Sequence, residues 1–283
     1  MDICKKKSIH IIVPQNTLEL GILSDNKSLF ENNNVQILIS NKESIEKSNN
    51  KYELLKVAEK IGIPCVKFYE VSNIIDLEKK LKSFGWPKKR VVIKPPLSNG
   101  SRGVRIIDES INLKEKFFNE KPGSLFINFE MIKLTLGEFF DKLLIMEYLD
   151  GREYTVDVMK VEDKSLIIPR SRGVIKSGIT FFGMVEKHKL IEEYSLRLAE
   201  ALELKFCFGF QFIIKDDIPF LIECNPRVQG SMVISTMANA NIILNSVLLK
   251  LNKGSIPMDL HYGTTFTRYW GGIAKNNDTT MKL

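Results

Sequence analysis

Two adjacent apolar segments constrain the fold of this chain most, because together they have the pattern of a β-hairpin. Residues 208–214 and 219–224 are rich in Phe, Ile and Leu, and a polar turn with two aspartates separates them. Glu223 and Asn225 are two positions apart at the end of the second segment, so their side chains project from the same face. Gln211 lies about as far before the turn as Glu223 lies after it. The spacing therefore predicts that Gln211 and Glu223 face each other across the hairpin.

The three polar side chains of this hairpin predict a metal site. A carboxylate and two amide oxygens from Gln211, Glu223 and Asn225 make an oxygen-only donor set, which suits Mg²⁺ bridged to phosphates. Arg227 follows shortly afterwards and adds a cation that keeps its proton. The alternative is an exposed hairpin end with ordinary polar residues. That alternative is disfavoured because a lone carboxylate at the buried end of an apolar strand is costly without a metal or another partner.

Length and composition limit the remaining possibilities. The chain has 283 residues, of which 44% are hydrophobic and 27% charged, which is typical of a globular protein of about two domains. Its four cysteines are widely scattered without a C-x-x-C pair, so we expect reduced thiols in a cytoplasmic protein rather than a disulfide framework. No window approaches the roughly 20 apolar residues of a membrane span, and the N-terminus lacks the pattern of a signal peptide.

The charge balance is basic but not diagnostic. The sequence has 41 Lys and Arg against 34 Asp and Glu, a net charge of +7. This excess permits an anionic ligand such as a nucleotide. The basic residues are dispersed rather than clustered, and AT-rich coding also explains a composition rich in Lys, Asn and Ile. We therefore expect neither a nucleic-acid partner nor a membrane partner.

Hydrophobic periodicity predicts a mixture of helices and strands. Because they do not alternate strictly as β-α-β units, we expect α+β subdomains rather than one doubly wound sheet. Helices are predicted at residues 18–32, from 49 or 50 to 61, 77–84, 108–119, 134–144, 189–204 and 238–251. Strands are predicted at residues 8–13, 35–40, 66–69, 90–94, 104–107, 144–149, 153–159, 165–168, 208–214 and 219–224. The predicted domain divisions are 1–45, 46–145 and 146–283.

A short loop between two of these strands has the composition of an anion-binding turn. Ser98, Gly100, Ser101 and Gly103 are small, so their backbone N–H groups could approach a phosphate closely. The loop matches neither the P-loop pattern nor the dinucleotide fingerprint. The alternative, an ordinary hairpin turn, stays open when the loop is considered alone.

Two further segments could contact a nucleotide. Lys94 ends an apolar strand just before the loop, where it could offer a fixed charge to a phosphate; alternatively its stem lies along the sheet with the ammonium in water. The segment that contains Glu147, Tyr148 and Leu149 is an apolar strand edge that could hydrogen-bond a purine, with Glu153 near enough to take ribose hydroxyls. An ordinary strand followed by a surface turn is an equally good interpretation of that segment by itself.

Taken in order, these segments resemble the ATP-grasp superfamily, and most closely its carbamoyl-phosphate-synthase-like branch of carboxylate–amine ligases. The resemblance covers residues 35–270. Its most specific part is Phe-Gln-Phe at 210–212 followed by Leu-Ile-Glu-Cys-Asn-Pro-Arg at 221–227. Ile-Lys-Pro at 93–95 with the small-residue loop, and Met-Glu-Tyr-Leu at 146–149 with Glu153, support it.

The resemblance implies an ATP-grasp fold, in which two α+β subdomains clamp ATP. Residues 46–145 and 146–283 would form these subdomains, and residues 1–45 would be a truncated Rossmann-like portion of the pre-ATP-grasp type. A second copy of the chain or a partner chain would then complete the N-terminal domain. Gly209 departs from the family pattern, because relatives often carry Asn or Arg two positions before the hairpin glutamine.

The resemblance also implies a role for each candidate residue. Lys51 and Lys94 would contact the phosphates, and Ser98, Gly100, Ser101 and Gly103 would close over them. Glu147, Tyr148 and Leu149 would line the adenine, and Glu153 would bind the ribose. Gln211, Glu223 and Asn225 would hold Mg²⁺ or Mn²⁺. Arg227 would face the transferred phosphoryl group as a catalytic residue together with Lys94 and Arg172, and Arg170 and Lys176 would be further cations facing a carboxylate or phosphate.

The activity implied by this resemblance is that of an ATP- and Mg²⁺-dependent, ADP-forming ligase. Such an enzyme activates a small-molecule carboxylate as an acyl phosphate, which an amine then captures. The alternative is an ATP-binding module, or an inactive relative, that needs a partner chain.

Overall fold

The computed structural model describes residues 1–98, 100, 102–119, 125–176, 178–269 and 271, and the backbone of residues 273–276 and 279–282. Its helices are α1 (Asp2–Lys6), α2 (Thr17–Asp25), α3 (Lys27–Glu31), α4 (Lys42–Asn49), α5 (Lys51–Lys60), α6 (Ile74–Ser83), α7 (Leu113–Asn119), α8 (Phe129–Leu136), α9 (Lys189–Ala201), α10 (Val233–Met237) and α11 (Ile242–Lys250).

The strands alternate irregularly with these helices. They are β1 (Ile11–Ile12), β2 (Gln36–Ile37), β3 (Phe68–Asn73), β4 (Val91–Lys94), β5 (Arg105–Ile107), β6 (Phe126–Ile127), β7 (Phe139–Glu147), β8 (Arg152–Val161), β9 (Lys164–Lys176), β10 (Ile179–Val185), β11 (Phe206–Lys215), β12 (Ile218–Asn225), β13 (Thr265–Thr267), β14 (Ile273–Asn276) and β15 (Thr279–Lys282).

Two sheets organise the molecule. The larger sheet is antiparallel and has the order β12-β11-β8-β9-β10-β13, and the smaller has the order β3-β7-β4-β5-β6. Strands β1 and β2 form a separate parallel pair near the N-terminus. The predicted α+β class is therefore confirmed. Among the described residues, no helix combines the length and the apolar character that crossing a lipid bilayer requires.

Local sequence signals explain the helix that precedes the candidate phosphate loop. The Asn50 side chain caps α5 by accepting hydrogen bonds from the backbone N–H groups of Tyr52 and Glu53, at 3.0 and 3.4 Å. Leu54, Leu55 and Ala58 are completely buried on one face of the helix, as the amphipathic spacing predicts. Gly62, with φ +69°, follows its C-terminus. The cap fixes the start of the helix, and with it the position of Lys51, the first helical residue.

The helix predicted at residues 134–144 is wrong. Helix α8 ends at Leu136, and Gly137, with φ +71°, turns the chain into strand β7. This strand runs between β3 and β4 in the smaller sheet, and its apolar residues Leu144, Ile145 and Met146 are all buried. An apolar run buried on both faces of a sheet has no period that distinguishes it from a buried helix.

Other predicted boundaries also need correction, and polar side chains account for several of them. The helix predicted at 18–32 is divided at Asn26 into α2 and α3. Helix α7 begins only at Leu113, because Asp108 instead accepts hydrogen bonds from the backbone and hydroxyl of Ser110. The last long helix begins at 242, where the Asn241 side chain caps it. Helix α4 was not predicted, and strand β9 extends well beyond the predicted 165–168.

The larger sheet presents different residues to its two faces. Phe208, Phe210 and Phe212 alternate along β11 and are buried in the main core, with edge-to-face ring contacts at 5.7 and 6.5 Å. The intervening positions, Gly209 and Gln211, belong to the opposite face because side chains alternate along a strand. This alternation directs the polar residues of the hairpin away from the core.

Candidate nucleotide and metal site

A cavity of about 1010 Å³ brings together strand ends and loops from both sheets. Most of the predicted site residues line it: Lys94, Ser98, Gly100, Glu147, Tyr148, Leu149, Glu153, Arg172, Gln211, Glu223, Asn225 and Arg227. Lys51 lies beside it and contacts two of its lining residues, whereas Gly103 is not part of the lining. Ser101 lies outside the described residues. Residues from four separate stretches of the sequence are thus collected in one cleft.

The predicted hairpin of β11 and β12 forms the floor of the candidate metal site. Gln211 pairs with Glu223 and Gly209 pairs with Asn225 in the antiparallel register. Paired residues of an antiparallel ladder project to the same face. The Asn225 amide nitrogen donates a hydrogen bond of 3.2 Å to the Glu223 carboxylate. The structure therefore places the three predicted metal ligands next to one another.

The donor chemistry of these residues fits a hard cation that shares its coordination with phosphate. Magnesium in nucleotide sites uses one or two protein carboxylates, substrate phosphates and water. Glu223 supplies such a carboxylate, and Gln211 and Asn225 add neutral oxygens. Within the described part of the chain, no group of three or more His, Cys, Asp or Glu side chains could hold a metal ion.

Two lysines, one at the start of helix α5 and one at the end of strand β4, approach the carboxylate of the hairpin. The Lys51 Nζ lies 3.8 Å from the Glu223 carboxylate and donates a hydrogen bond of 2.8 Å to the Ser98 carbonyl oxygen. The Lys94 Nζ donates to the backbone carbonyl of Ile222, at 3.4 Å. Both residues are buried: Lys51 has 3% of its surface exposed and Lys94 has 7%. The two ammonium groups and Glu223 thus form one compact charged cluster.

Burial depresses the pKa of both ammonium groups. Desolvation lowers the pKa of Lys94 to about 8, with Glu223 acting in the opposite direction and Lys51 adding to the decrease. Desolvation also lowers the pKa of Lys51, again opposed by Glu223. Burial destabilises the protonated form of each ammonium group in the free protein. A nearby anionic ligand stabilises that protonated form strongly. The cluster is therefore electrostatically suited to phosphate.

The small-residue loop is attached to the same cluster. Gly103 adopts φ +73°, and a Cβ there would come within 2.7 Å of the Pro95 ring, so only glycine fits without a shift. The Lys51 backbone N–H donates a hydrogen bond of 3.0 Å to the Pro96 carbonyl. The base of the loop is consequently fixed to the start of helix α5.

Glu153 and Arg172 contact each other rather than acting separately. The Arg172 guanidinium donates to the Glu153 carboxylate at 3.0 Å, to the Thr180 hydroxyl at 3.1 Å and to the Gly178 carbonyl at 2.8 Å. Desolvation lowers the pKa of Arg172, and Glu153 opposes this decrease. Each guanidinium nitrogen therefore already has a protein partner, one of which is Glu153, and the catalytic role of Arg172 stays a prediction.

The other two predicted cations of β9 do not line the cavity. Arg170 is completely buried and forms a two-pronged ion pair with Asp157, with both distances at 2.7 Å. Lys176 is exposed and lies over the ring of Phe181, at 5.1 Å from its centroid. The expectation that Arg170 and Lys176 face a substrate anion is therefore corrected. The sequence places them just after a predicted strand, and only the packing decides which side chains reach the cleft.

Sequence reasoning missed Gln229 as a residue of the cleft. Gln229 lines the cavity, and a Cβ on Gly209 would overlap its side-chain nitrogen. The carboxamide of Gln229 therefore occupies the space above Gly209 and supplies a polar group at the position where the family pattern suggested one was missing. An isolated glycine within an apolar strand signals such a close approach, although it does not name the approaching residue.

Sequence reasoning also missed Thr17, whose hydroxyl accepts a hydrogen bond of 2.9 Å from the Arg227 Nε. Arg227 lines the cavity beside Asn225, so Thr17 connects the N-terminal segment to the candidate site. The two residues are 210 positions apart. No local sequence signal reports a contact across that separation.

Comparison with known proteins agrees with this geometry. Residues 139–266 match the family model described as "ATP-grasp in the biosynthetic pathway with Ter operon". The chain is 23% identical over 241 residues to the carbamoyl phosphate synthase large chain of Clostridium acetobutylicum; the match covers 82% of this chain and 21% of that protein. The chain thus spans about a fifth of the length of this relative.

Solved structures share the fold. Biotin carboxylase from Campylobacter jejuni, in a complex with β,γ-ATP, has a TM-score of 0.67 at 17% identity, covering 93% of this chain and 59% of that chain. The biotin carboxylase domain of Hydrogenobacter thermophilus 2-oxoglutarate carboxylase, in complex with MgADP, ADP and bicarbonate, has a TM-score of 0.67 at 16% identity, with the same coverage of 93% and 59%. The fold is thus the ATP-grasp fold, and the family match, the relative and these structures all fit the ATP-grasp superfamily.

Proposed function

We propose that this protein is an ATP- and Mg²⁺-dependent, ADP-forming ligase that activates a small-molecule carboxylate as an acyl phosphate for capture by an amine. One observation carries this proposal. Lys51 and Lys94 converge with Gln211, Glu223 and Asn225 in a single cleft. A cluster of cations next to hard oxygen donors suits a triphosphate and its metal ion, because phosphoryl transfer depends mainly on alignment and charge neutralisation.

The proposed nucleotide position follows from the lining of the cleft. Adenine would lie against the strand end that carries Glu147, Tyr148 and Leu149. The Glu147 backbone N–H already donates to the Lys67 carbonyl at 2.9 Å, which leaves base recognition to other backbone groups of this segment. Glu153, oriented by Arg172, would accept hydrogen bonds from the ribose hydroxyls. Residues 46–145 and 146–283 would act as the two halves of the clamp.

The proposed phosphate position places the reacting group between the lysines and the hairpin. Lys51 and Lys94 would bind the phosphates, and the loop with Ser98, Gly100 and Gly103 would cover them. A divalent cation held by Gln211, Glu223 and Asn225 would neutralise phosphate charge when bound. Arg227 would face the phosphoryl group as it moves.

The proposed reaction has two steps. A carboxylate oxygen of the acid attacks the γ-phosphorus, the bond to the β,γ-bridging oxygen breaks, and its electron pair leaves with ADP. The amine nitrogen then attacks the carbonyl carbon of the acyl phosphate, phosphate leaves, and the nitrogen loses a proton. Arg227 would stabilise the charge on the transferred group in both steps, since a guanidinium binds phosphate oxygens with fixed geometry.

ADP release tests the proposal. We expect Mg²⁺-dependent ADP formation when the protein is supplied with ATP and the correct acid and amine from a broad panel. Glu223→Ala should abolish this turnover, because it removes the carboxylate of the metal site, whereas the control Glu43→Ala should not. Glu43 is a suitable control because its side chain is 76% exposed, and its partner is a neighbouring lysine on helix α4.

The outcomes separate the proposed ligase from the alternative. Full turnover by Glu223→Ala would contradict the assignment of the metal site. Tight binding of MgATP without ADP formation across the panel would instead favour an ATP-binding module that needs a partner chain. Failure to bind MgATP at all would contradict both.

A further inference from the structure

The candidate phosphoryl-binding arginine is held by a residue from the other end of the chain. The Arg227 guanidinium donates to the Asn225 side-chain oxygen at 3.1 Å and to the Val228 carbonyl at 3.0 Å, both on its own turn. Its third contact is the hydrogen bond of 2.9 Å from Nε to the Thr17 hydroxyl. Nε lies where the guanidinium joins its flexible stem, so this contact restricts how the whole planar group rotates.

Thr17 is itself rigidly placed, because it is the first residue of a well-capped helix. The Asn16 side chain accepts a hydrogen bond of 3.1 Å from the Leu18 N–H, and the Glu19 carboxylate accepts bonds of 2.8 Å from the N–H groups of Gln15 and Asn16. These reciprocal bonds form a capping box. They fix the start of α2, and therefore the position of the Thr17 hydroxyl.

The segment that carries Thr17 is packed against the turn that carries Arg227. Ile11, Val13 and Leu38 belong to the same apolar cluster as Val228 and Met232, which flank the cleft after the metal-binding strand. The backbone N–H of Lys205 also donates a hydrogen bond of 2.9 Å to the Ser40 hydroxyl. The contact between Thr17 and Arg227 is thus part of an extended interface, and both partners are held in place by it.

We propose that Thr17 is a positioning residue for Arg227, through which the N-terminal segment sets the orientation of the guanidinium toward the γ-phosphate. The inference rests on the proposed function, because it presupposes that Arg227 meets the transferred phosphoryl group. Arg227 has four rotatable side-chain bonds, and desolvation already lowers its pKa, with Glu223 opposing that decrease. Losing the Thr17 contact frees the guanidinium to adopt orientations that no longer favour the terminal phosphate.

This role has a specific signature in nucleotide binding. Only a ligand with a γ-phosphate should respond to the orientation of Arg227, so the preference for a triphosphate over a diphosphate reports on it. A hydroxyl that only stabilises the fold would change the affinity for both nucleotides together, or change neither. The preference therefore separates positioning from general stability.

The experiment measures dissociation constants of the full chain for the magnesium complexes of AMP-PNP and ADP by calorimetry. Thr17→Val keeps the shape of the side chain and removes its hydroxyl. We expect it to reduce the preference for MgAMP-PNP by about 5- to 10-fold, the scale of one typical net hydrogen bond, with MgADP affinity almost unchanged. Thr17→Ser should restore the preference. The control Ser24→Ala removes a hydroxyl of the same helix that donates to the Gly21 carbonyl, at 2.9 Å, and it should have no effect.

A double-mutant cycle with Arg227→Met completes the test. If Thr17 acts through Arg227, Thr17→Val should have no further effect on the preference once Arg227 is replaced. An unchanged preference in Thr17→Val, or an equal loss in both backgrounds, overturns the inference while leaving nucleotide binding intact. A parent protein that binds neither nucleotide overturns the proposed function itself, so the two failures are distinguishable.

Discussion

Lys51 connects the candidate phosphate loop to the hairpin that carries the candidate metal ligands, because its ammonium lies 3.8 Å from the Glu223 carboxylate and 2.8 Å from the Ser98 carbonyl oxygen. The lysine begins helix α5, whereas Glu223 lies near the end of strand β12 in the larger sheet. One buried cation thus bridges the two sides of the cleft. A bound phosphate would compete with Glu223 and the Ser98 carbonyl for the Lys51 ammonium. The same ammonium would orient that phosphate.

Replacing Lys51 should therefore weaken nucleotide binding. We expect Lys51→Met to reduce MgADP affinity by roughly 1–3 kcal/mol, the scale of a charge-assisted hydrogen bond, as measured by calorimetry. Lys56→Met is the matched control, because Lys56 lies on the same helix with its side chain 52% exposed and paired to Glu59. Equal affinities for Lys51→Met and the parent protein would remove Lys51 from the site.

Nucleotide affinity should fall at alkaline pH because of Lys94. Its pKa in the free protein is lowered to about 8 by burial, and a bound phosphate raises it again by stabilising the charged form. Below pH 8 the ammonium is already protonated, so binding takes up no proton there. Above pH 8 binding requires proton uptake, so the dissociation constant of MgADP should rise by up to about tenfold per pH unit until the pKa of the complex is reached.

The variant Lys94→Met tests the origin of this pH dependence. It should bind MgADP more weakly at neutral pH, and the increase of the dissociation constant above pH 8 should become smaller. Lys51 retains its own depressed pKa, so some dependence on pH is expected to persist. A variant whose affinity falls with pH as steeply as that of the parent would exclude Lys94 as the titrating group.

Arg172 should influence ribose recognition through Glu153. We expect Glu153→Ala to bind ATP and 2′,3′-dideoxy-ATP with similar affinity, because it removes the proposed acceptor of the ribose hydroxyls. Arg172→Met should reduce the discrimination between these nucleotides in the same direction, since it releases the carboxylate that it holds at 3.0 Å. Competition binding measures both variants. Full discrimination in Arg172→Met would show that Glu153 keeps its orientation without the arginine.

A methyl group on Gly209 should destabilise the protein. The added Cβ would overlap the Gln229 amide and approach the Val156 carbonyl oxygen to 2.6 Å, so the Gly209→Ala variant should lose about 1–3 kcal/mol of unfolding free energy in urea titrations. Gly21→Ala is the control, because a Cβ there would meet no described atom within 4 Å apart from its chain neighbours and the backbone of helix α2. That substitution should be neutral or slightly stabilising. Similar stabilities of the two variants would contradict the close packing at Gly209.

Short motifs predicted a large part of the candidate site. Gln211, Glu223 and Asn225 could be placed on one face because strand periodicity and a nearby turn determine hairpin register within a few residues. The Asn50 cap likewise determined where helix α5 begins. Strand β7 could not be distinguished from a helix, because burial on both faces of a sheet removes the periodic signal.

The sequence by itself thus determined the α+β class, the ATP-grasp resemblance and twelve of the residues that line the cleft, because those features depend on local patterns of apolar and polar residues. Only the tertiary structure decided which cations reach the cleft and which pair elsewhere. Arg170 pairs with Asp157 away from the cleft, whereas Arg172 and Arg227 line it, where Arg172 contacts Glu153 and Arg227 contacts a threonine 210 positions earlier. Contacts between distant residues follow from how the sheets and the N-terminal segment pack. The order of apolar and polar residues along the chain does not specify that packing.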